Sequence, residues 1–326
     1  MTARARDWPA LAIVPAVALL ALPLMPFPTW VALSAAGAAM GMMLFLMASG
    51  LTLIFGLMDV LNFAHGAFIT LGAYVAVSVL GWLAGWAGAD SLALNLAALA
   101  VAVVAAALAS GAAGVVFERA IIRRVHGKHL QQILITVGGM IVAEQLILAA
   151  WGAQPLQVAK PALLRGSLIL AGAAVEKFRL VAVALGLLVF AAMHLVLNRT
   201  RIGLLVRAGV ENREMVEALG YRVRRLFIGV FVAGTALAGI GGVMWAVYQE
   251  TVTAAIGADM TILVFIVVII GGLGSVGGCF AGAVLVGLTA NYVGFLEPRL
   301  ALGSNIALMV LVLLWRPRGL FPLVRA

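Results

Sequence analysis

The sequence predicts an all-α protein: a polytopic transmembrane helical bundle of about 8–10 spans, in two related halves with broken or re-entrant helices. Three observations carry this. Hydrophobic residues make up 65% of the 326-residue chain, charged residues only 10%, and mean hydropathy is +1.18. A soluble domain is about half apolar and a quarter charged, so an aqueous surface cannot be built from this composition. Apolar runs such as 226–247 reach the roughly 20 helical residues that cross about 30 Å of hydrocarbon. Finally, the basic residues lie between such runs rather than within them.

Ten spans are expected, near 9–27, 31–56, 57–81, 92–117, 130–150, 179–197, 226–248, 259–273, 276–296 and 303–315, in a single membrane domain covering 1–326. Eight full crossings with re-entrant pieces is the competing count. The first run follows Arg4 and Arg6 as a signal sequence would. Pro9, Pro15, Pro23, Pro26 and Pro28 punctuate it, however, and no small-residue cleavage site follows, so it reads as a retained helix. Arg119, Arg123, Arg124 and Lys128 share one loop, seven arginines from Arg199 to Arg225 another, and Arg316, Arg318 and Arg325 close the chain. With Arg4 and Arg6 these are 16 of the 21 basic residues. The positive-inside rule places all four segments, and both termini, in the cytoplasm. The net charge of +9 thus reports topology, and no nucleic-acid partner is expected. Loops 82–91, 151–178, 249–258 and 297–302 fall outside and are too small to be a binding domain.

Within the apolar background, Asp59, Asn62, His65 and Gly66 stand out, because polar groups at membrane depth are costly and usually functional. On a continuous helix, spacings of three and four would place Asp59, Asn62 and Gly66 on one stripe, with His65 beside it. A solute-facing hinge and a polar cluster that locks a broken helix both fit; for His65 alone the second is favoured. Residues 56–60 and 66–67 echo 272–276 and 282–283 at a constant offset of 216, which predicts a parallel internal repeat and adds Gly272 and Gly282 as pathway or hinge candidates. Glu144 and Gln145 lie inside the fifth span and invite a proton relay without a chain of partners to complete one. Residues 271–278 are rich in glycine but lack the Gly-Lys-Ser/Thr ending of a phosphate loop, so close helix packing is their expected role. Cys279, the one cysteine, makes no internal disulfide. No catalytic or metal-binding set is evident.

The loop 198–225 contains one short helix by its punctuation: Asn212 as N-cap, Gly220 as stop, and 213–219 between them. Arg213 and Glu217 pair at i, i+4, while Met215, Val216 and Leu219 form an apolar face. Glu211, Glu214 and Glu217 oppose anionic lipid, which favours docking to a cytoplasmic protein over lying on the membrane.

Residues 56–74, with Leu-Asn-Phe-Ala-His-Gly-Ala-Phe at 61–68 and Leu-Gly-Ala-Tyr at 71–74, resemble the signature of inner-membrane permeases of branched-chain amino-acid ABC importers. The loop 207–220 is similar to that family's ATPase-coupling segment, and 271–282 to its late glycine-rich stretch. The resemblance implies a non-catalytic subunit of a bacterial inner-membrane importer that binds no cofactor itself. Two cytoplasmic ATP-binding subunits would hold ATP and Mg, and a second homologous permease would complete the pathway. An extracytoplasmic solute-binding protein would deliver substrate. Arg207, Asn212, Arg213, Glu214, Glu217 and Gly220 would form the coupling segment. Where many relatives carry an acidic residue after His-Gly, this chain has Ala67. Urea or short amides are alternative substrates within the family. A stand-alone proton-coupled transporter using Asp59 or Glu144, and an intramembrane enzyme using Asp59 and His65, are the alternatives outside it.

Overall fold

A helix that is apolar around its whole circumference has no face to offer water and is buried in protein or lipid. The computed structural model describes residues 8–321 except 126 and 212, and in it such helices dominate. In chain order they are α1 (Trp8–Ala21), α2 (Phe27–Met58), α3 (His65–Trp82), the single turn α4 (Ala84–Ala87), α5 (Leu92–Ala120), α6 (His129–Trp151), α7 (Lys177–Arg199), α8 (Arg201–Glu211), α9 (Arg213–Ala218), α10 (Val223–Gln249), α11 (Ile256–Gly271), α12 (Val276–Leu296) and α13 (Ala301–Trp315). Seven are long and apolar enough to cross a membrane, and three shorter apolar helices, Ala12–Leu24, Ile256–Gly271 and Gly303–Trp315, accompany them. The chain is a multi-pass membrane protein of the all-α class.

The centre is α2, in which every residue from 41 to 54 is buried. Small residues let its neighbours approach to backbone contact. A Cβ on Gly41 would lie 2.8 Å from the Ala283 carbonyl oxygen of α12, and one on Gly234 of α10 would lie 2.7 Å from the Gly50 carbonyl oxygen. Gly50 meets Gly234 while Met47 meets Gly241, so α2 and α10 run antiparallel. The same logic sets α5 against α10, where Gly114 meets Thr235 and Ser110 meets Gly239. Phe190 stacks on Phe280 at 4.3 Å and meets Phe45 edge-on, which fixes α7 against α2 and α12.

These pairings gather the last turn of α5, the α7–α10 segment and the end of α13 on one face, the basic face. Two small sheets lie on the opposite face: β1 (Leu156–Gln157) pairs antiparallel with β4 (Thr251–Val252), and the hairpin of β2 (Ser167–Leu170) with β3 (Ala173–Glu176) stands beside them. On the basic face the chain turns back after α13, and Leu320 and Phe321 donate their N–H groups to Ile270 and Gly271 oxygens at 2.9 and 3.1 Å.

One expected span needs correcting. Residues 57–81 do not form one helix: α2 runs on to Met58, residues 59–64 are not α-helical, and α3 starts at His65. Asp59, Asn62 and Gly66 therefore share no helical stripe. Apolar character persists across the break, so hydropathy alone does not reveal it.

Candidate functional site

Asp59 ends α2 in the left-handed conformation (φ 54°, ψ 37°), its N–H donating to Phe55 O at 3.0 Å. Aspartate tolerates that conformation better than most residues because its short polar side chain can bond locally. The chain then runs back along the bundle, and the His65 N–H closes onto Asn62 O at 3.2 Å as α3 begins. The start of α3 is deep inside the protein. His65 Nε2 bonds Met47 O at 2.8 Å. A carbonyl only accepts, so Nε2 carries the proton and Nδ1 is left as an acceptor. Met47 lies eleven residues before the end of α2, roughly 16 Å along its axis at 1.5 Å per residue. The Phe63 N–H donates to Thr136 Oγ1 of α6 at 3.2 Å, and Thr136 in turn donates to Gln132 O at 2.7 Å.

Asn62 and His65 are both fully buried, and neither the two polar atoms of the Asn62 side chain nor His65 Nδ1 meets a partner among the described residues. Leaving such groups unpaired costs about 1–3 kcal/mol each. This is a place where the fold gives up stability, and such places are more often functional than accidental.

The other end of the molecule repeats this construction. Glu250 ends α10 in the left-handed conformation (φ 59°, ψ 0°), its N–H donating to Ala246 O at 2.9 Å. The Ile256 N–H closes onto Thr253 O at 3.2 Å as α11 begins. Glu250 follows Asp59 by 191 residues, and Thr253, Ile256, Gly257 and Thr261 follow Asn62, His65, Gly66 and Thr70 by the same interval. Both helices open with Gly-Ala-x-x-Thr, and both threonines bond back to the glycine carbonyl, at 3.2 Å in α3 and 2.6 Å in α11. Since α2 and α10 are antiparallel, the two halves are related by inversion. The offset of 216 is not the structural repeat: residues 272–275 form a tight turn into an unbroken α12, with nothing like the six-residue break at 59–64. Glycine-rich stretches match one another through composition, whereas a left-handed cap and a matched bond pattern recur only with the fold.

The two short helices meet at their starts. A Cβ on Gly66 would strike the Gly257 carbonyl oxygen, and one on Gly257 would strike that of Gly66. Two helix N-termini, each carrying partial positive charge, thus converge inside the bundle, the arrangement in which interrupted helices of transporters hold anionic groups.

The remaining candidates lie elsewhere. Gly272 caps α11 (φ 96°) on the basic face beside the returning 318–321 segment, and Gly282 packs α12 onto α11, 2.8 Å separating its built Cβ from Val267 O. Neither joins Asn62 and His65. In the basic loop, the helix expected at 213–219 is α9 (Arg213–Ala218), preceded by α8, whose extent the sequence reading missed. Gly220 (φ 85°) stops α9, with bonds from Gly220 N to Glu217 O and from Tyr221 N to Val216 O that together satisfy its last carbonyls. Val216 is buried, while Met215 and Leu219 are 60% and 70% exposed, so the apolar face splits into an anchor and a presented tip. Asn212, and the side chains of Arg207, Arg213 and Glu214, lie outside the described residues.

A charged cluster on the opposite face also escaped the sequence reading. Lys160, almost fully buried, bonds Glu176 at the end of β3 and Glu250 at 3.1 Å, with its Nζ 5.3 Å from the Phe178 ring centre. The Val158 N–H donates to Glu250 O at 2.9 Å. The loop after α6 is thereby fastened to the second break. Its signal was a lysine and two glutamates distributed over the two loops on that face.

The family model for the branched-chain amino acid transport system / permease component matches residues 33–314. The high-affinity branched-chain amino acid transport system permease protein BraD of Pseudomonas aeruginosa is 27% identical over 301 residues, covering 87% of this chain and 93% of that one. The corresponding LivH protein of Escherichia coli is 27% identical over 291 residues, 87% of this chain and 92% of its own length. A probable LivH of Methanocaldococcus jannaschii is 28% identical over 142 residues, 41% and 45% of the two chains. No solved structure matches.

Proposed function

The chain belongs to the family of permease components of branched-chain amino acid transport systems, and from that premise we propose that it is one permease subunit of an ABC importer. Its substrate is a branched-chain or similar amino acid. Two cytoplasmic ATP-binding subunits hold ATP and Mg and drive alternating access, a second homologous permease completes the pathway, and an extracytoplasmic binding protein delivers the solute. The basic face is cytoplasmic and both termini lie on that side of a bacterial inner membrane. This chain carries no catalytic group and binds no cofactor of its own.

The observation that carries the ATP-driven mechanism is α9: a short helix on the basic face, anchored by Val216 and presenting Met215 and Leu219. A presented apolar tip rimmed by charge is what a partner's cleft receives. The paired breaks supply what such a push can move. Asp59, Asn62, His65 and Gly66 form a hinge, and the unpaired polar atoms of Asn62 and His65 are available to a solute or to water when the packing loosens.

The test is affinity purification of the tagged chain from native membranes, followed by ATPase assay. Recovery of ATP-binding subunits with wild type, and at least a tenfold loss with Leu219→Asp while the chain still inserts, is the expected outcome. Retention of the ATPases by Leu219→Asp removes α9 from the coupling, and recovery of the chain alone from wild-type membranes overturns the importer assignment.

A further inference from the structure

The loop between α6 and α7 is tied to α5, α7 and α10 on the face opposite the basic one. β1 pairs with β4 through Leu156–Val252 and Gln157–Thr251, and the Val158 N–H bonds Glu250 O at 2.9 Å. Lys160 reaches both Glu250 at the end of α10 and Glu176 at the start of α7. Further along, the Leu163 N–H donates to Asn95 Oδ1 of α5 at 2.8 Å, and Asn95 is itself held through Nδ2 by Trp86 O and Ala89 O. Residues 156–163 therefore lie along the second break, and Val252, paired with Leu156, is fully buried. The first break is built without such a cover: among the described residues, no strand pairs with 59–64.

The charges in this cluster are not equally held. Glu176 has a second cation, Arg179 at 3.4 Å, and its side chain is 26% exposed, whereas Glu250 bonds Lys160 at 3.1 Å and is 51% exposed. When Glu250 swings into water, Lys160 keeps Glu176 as its counter-ion. No buried charge is then left unpaired, and the large penalty for breaking a buried ion pair is avoided. The bond to Glu250 is thus the one that can open and close, and moving elements are drawn from such weakly held contacts. Motion there reaches the centre of the bundle, because 250–255 leads into α11, whose Gly257 lies against the Gly66 backbone.

We propose that residues 156–163 are a strap that shuts the outer side of the pathway, with the Lys160–Glu250 pair as its releasable fastener. The assignment rests on the transporter role above, which makes this face extracytoplasmic, and adds to it the contact that opens to admit solute. Release frees 250–255 and lets the start of α11 move against α3. The strap stays anchored at Asn95 and Glu176, so it closes again in the same register.

The experiment joins strap and break by a disulfide. Gln157 and Thr251 are register partners, with Thr251 Oγ1 and Gln157 Oε1 3.4 Å apart, and the native Cys279 is buried. The double variant Gln157→Cys/Thr251→Cys is produced in the full complex in intact cells, oxidised, and checked for the cross-link by mass spectrometry. Uptake of labelled leucine is expected to fall at least tenfold on oxidation and to recover on reduction, with each single variant unaffected. Unchanged uptake by the cross-linked protein overturns the strap as a moving part. A second measurement needs no transport: Val252→Cys, labelled from outside with a membrane-impermeant maleimide, is expected to react at least fivefold faster when Glu250→Gln is added. Equal rates overturn the fastener. If wild-type cells show no ATP-driven leucine uptake, the importer reading fails, and the Val252→Cys rates still decide whether Glu250 holds the strap.

Discussion

The break after α2 and the break after α10 share a backbone and differ in surroundings. Each has a left-handed acidic residue at the helix end, a bond back to the carbonyl four residues earlier, a six-residue interval and a Gly-Ala start. Yet Asn62 of the first is wholly buried, whereas its counterpart Thr253 is exposed, and Glu250 is tied to Lys160 at the surface. Local backbone devices set the shape of a break. What packs around it decides whether solvent reaches it, and an inverted repeat can use one shape for two opposite tasks.

The comparison is most exposed to failure at the contact the breaks share. Gly66→Val and Gly257→Val each drive a Cβ into the other helix's carbonyl, and each should cost about 3 kcal/mol or more, abolishing uptake of labelled leucine and lowering the melting temperature in detergent to the same degree. Tolerance of one but not the other would mean that the glycines are not a common pivot.

Next in size, Lys160→Met leaves Glu250 without its cation, while Glu176 keeps Arg179 at 3.4 Å. Removing one partner of a buried pair costs about 3–5 kcal/mol, reduced here to roughly 2 kcal/mol because Glu250 is 51% exposed and partly solvated. Hydrogen exchange should accelerate across 250–255 and not across 59–64. Equal acceleration of both would show that the clamp acts on the whole bundle.

A smaller effect separates the caps. Asp59→Val should cost about 1–2 kcal/mol, the penalty of a left-handed residue with a branched side chain, and Asp59→Gly much less. If Val and Gly behave alike in chemical denaturation, the left-handed turn is not what ends α2.

The smallest stability change carries the most functional weight. Asn62→Leu removes unpaired buried polar atoms and should leave stability within about 1 kcal/mol of wild type or above it, while uptake falls at least tenfold. Thr253→Val should alter stability by no more than about 0.5 kcal/mol. Full uptake by Asn62→Leu would make the carboxamide dispensable.

The sequence by itself determined that this chain crosses a membrane many times, because composition and charge placement leave no other solvent for it. It also marked 56–74 as the segment that carries the family likeness, and Gly220 as a helix stop, since a left-handed stop favours a residue without a Cβ. Only the tertiary structure decided that α2 ends at Met58, that the repeat is inverted with an interval of 191, and that Lys160 joins Glu176 to Glu250. The physical reason is the same in each case. In a chain this uniformly apolar, hydropathy does not distinguish helix from extended backbone, and the contacts that do, Gly66 against Gly257 and Thr136 against Phe63, join residues far apart in the sequence.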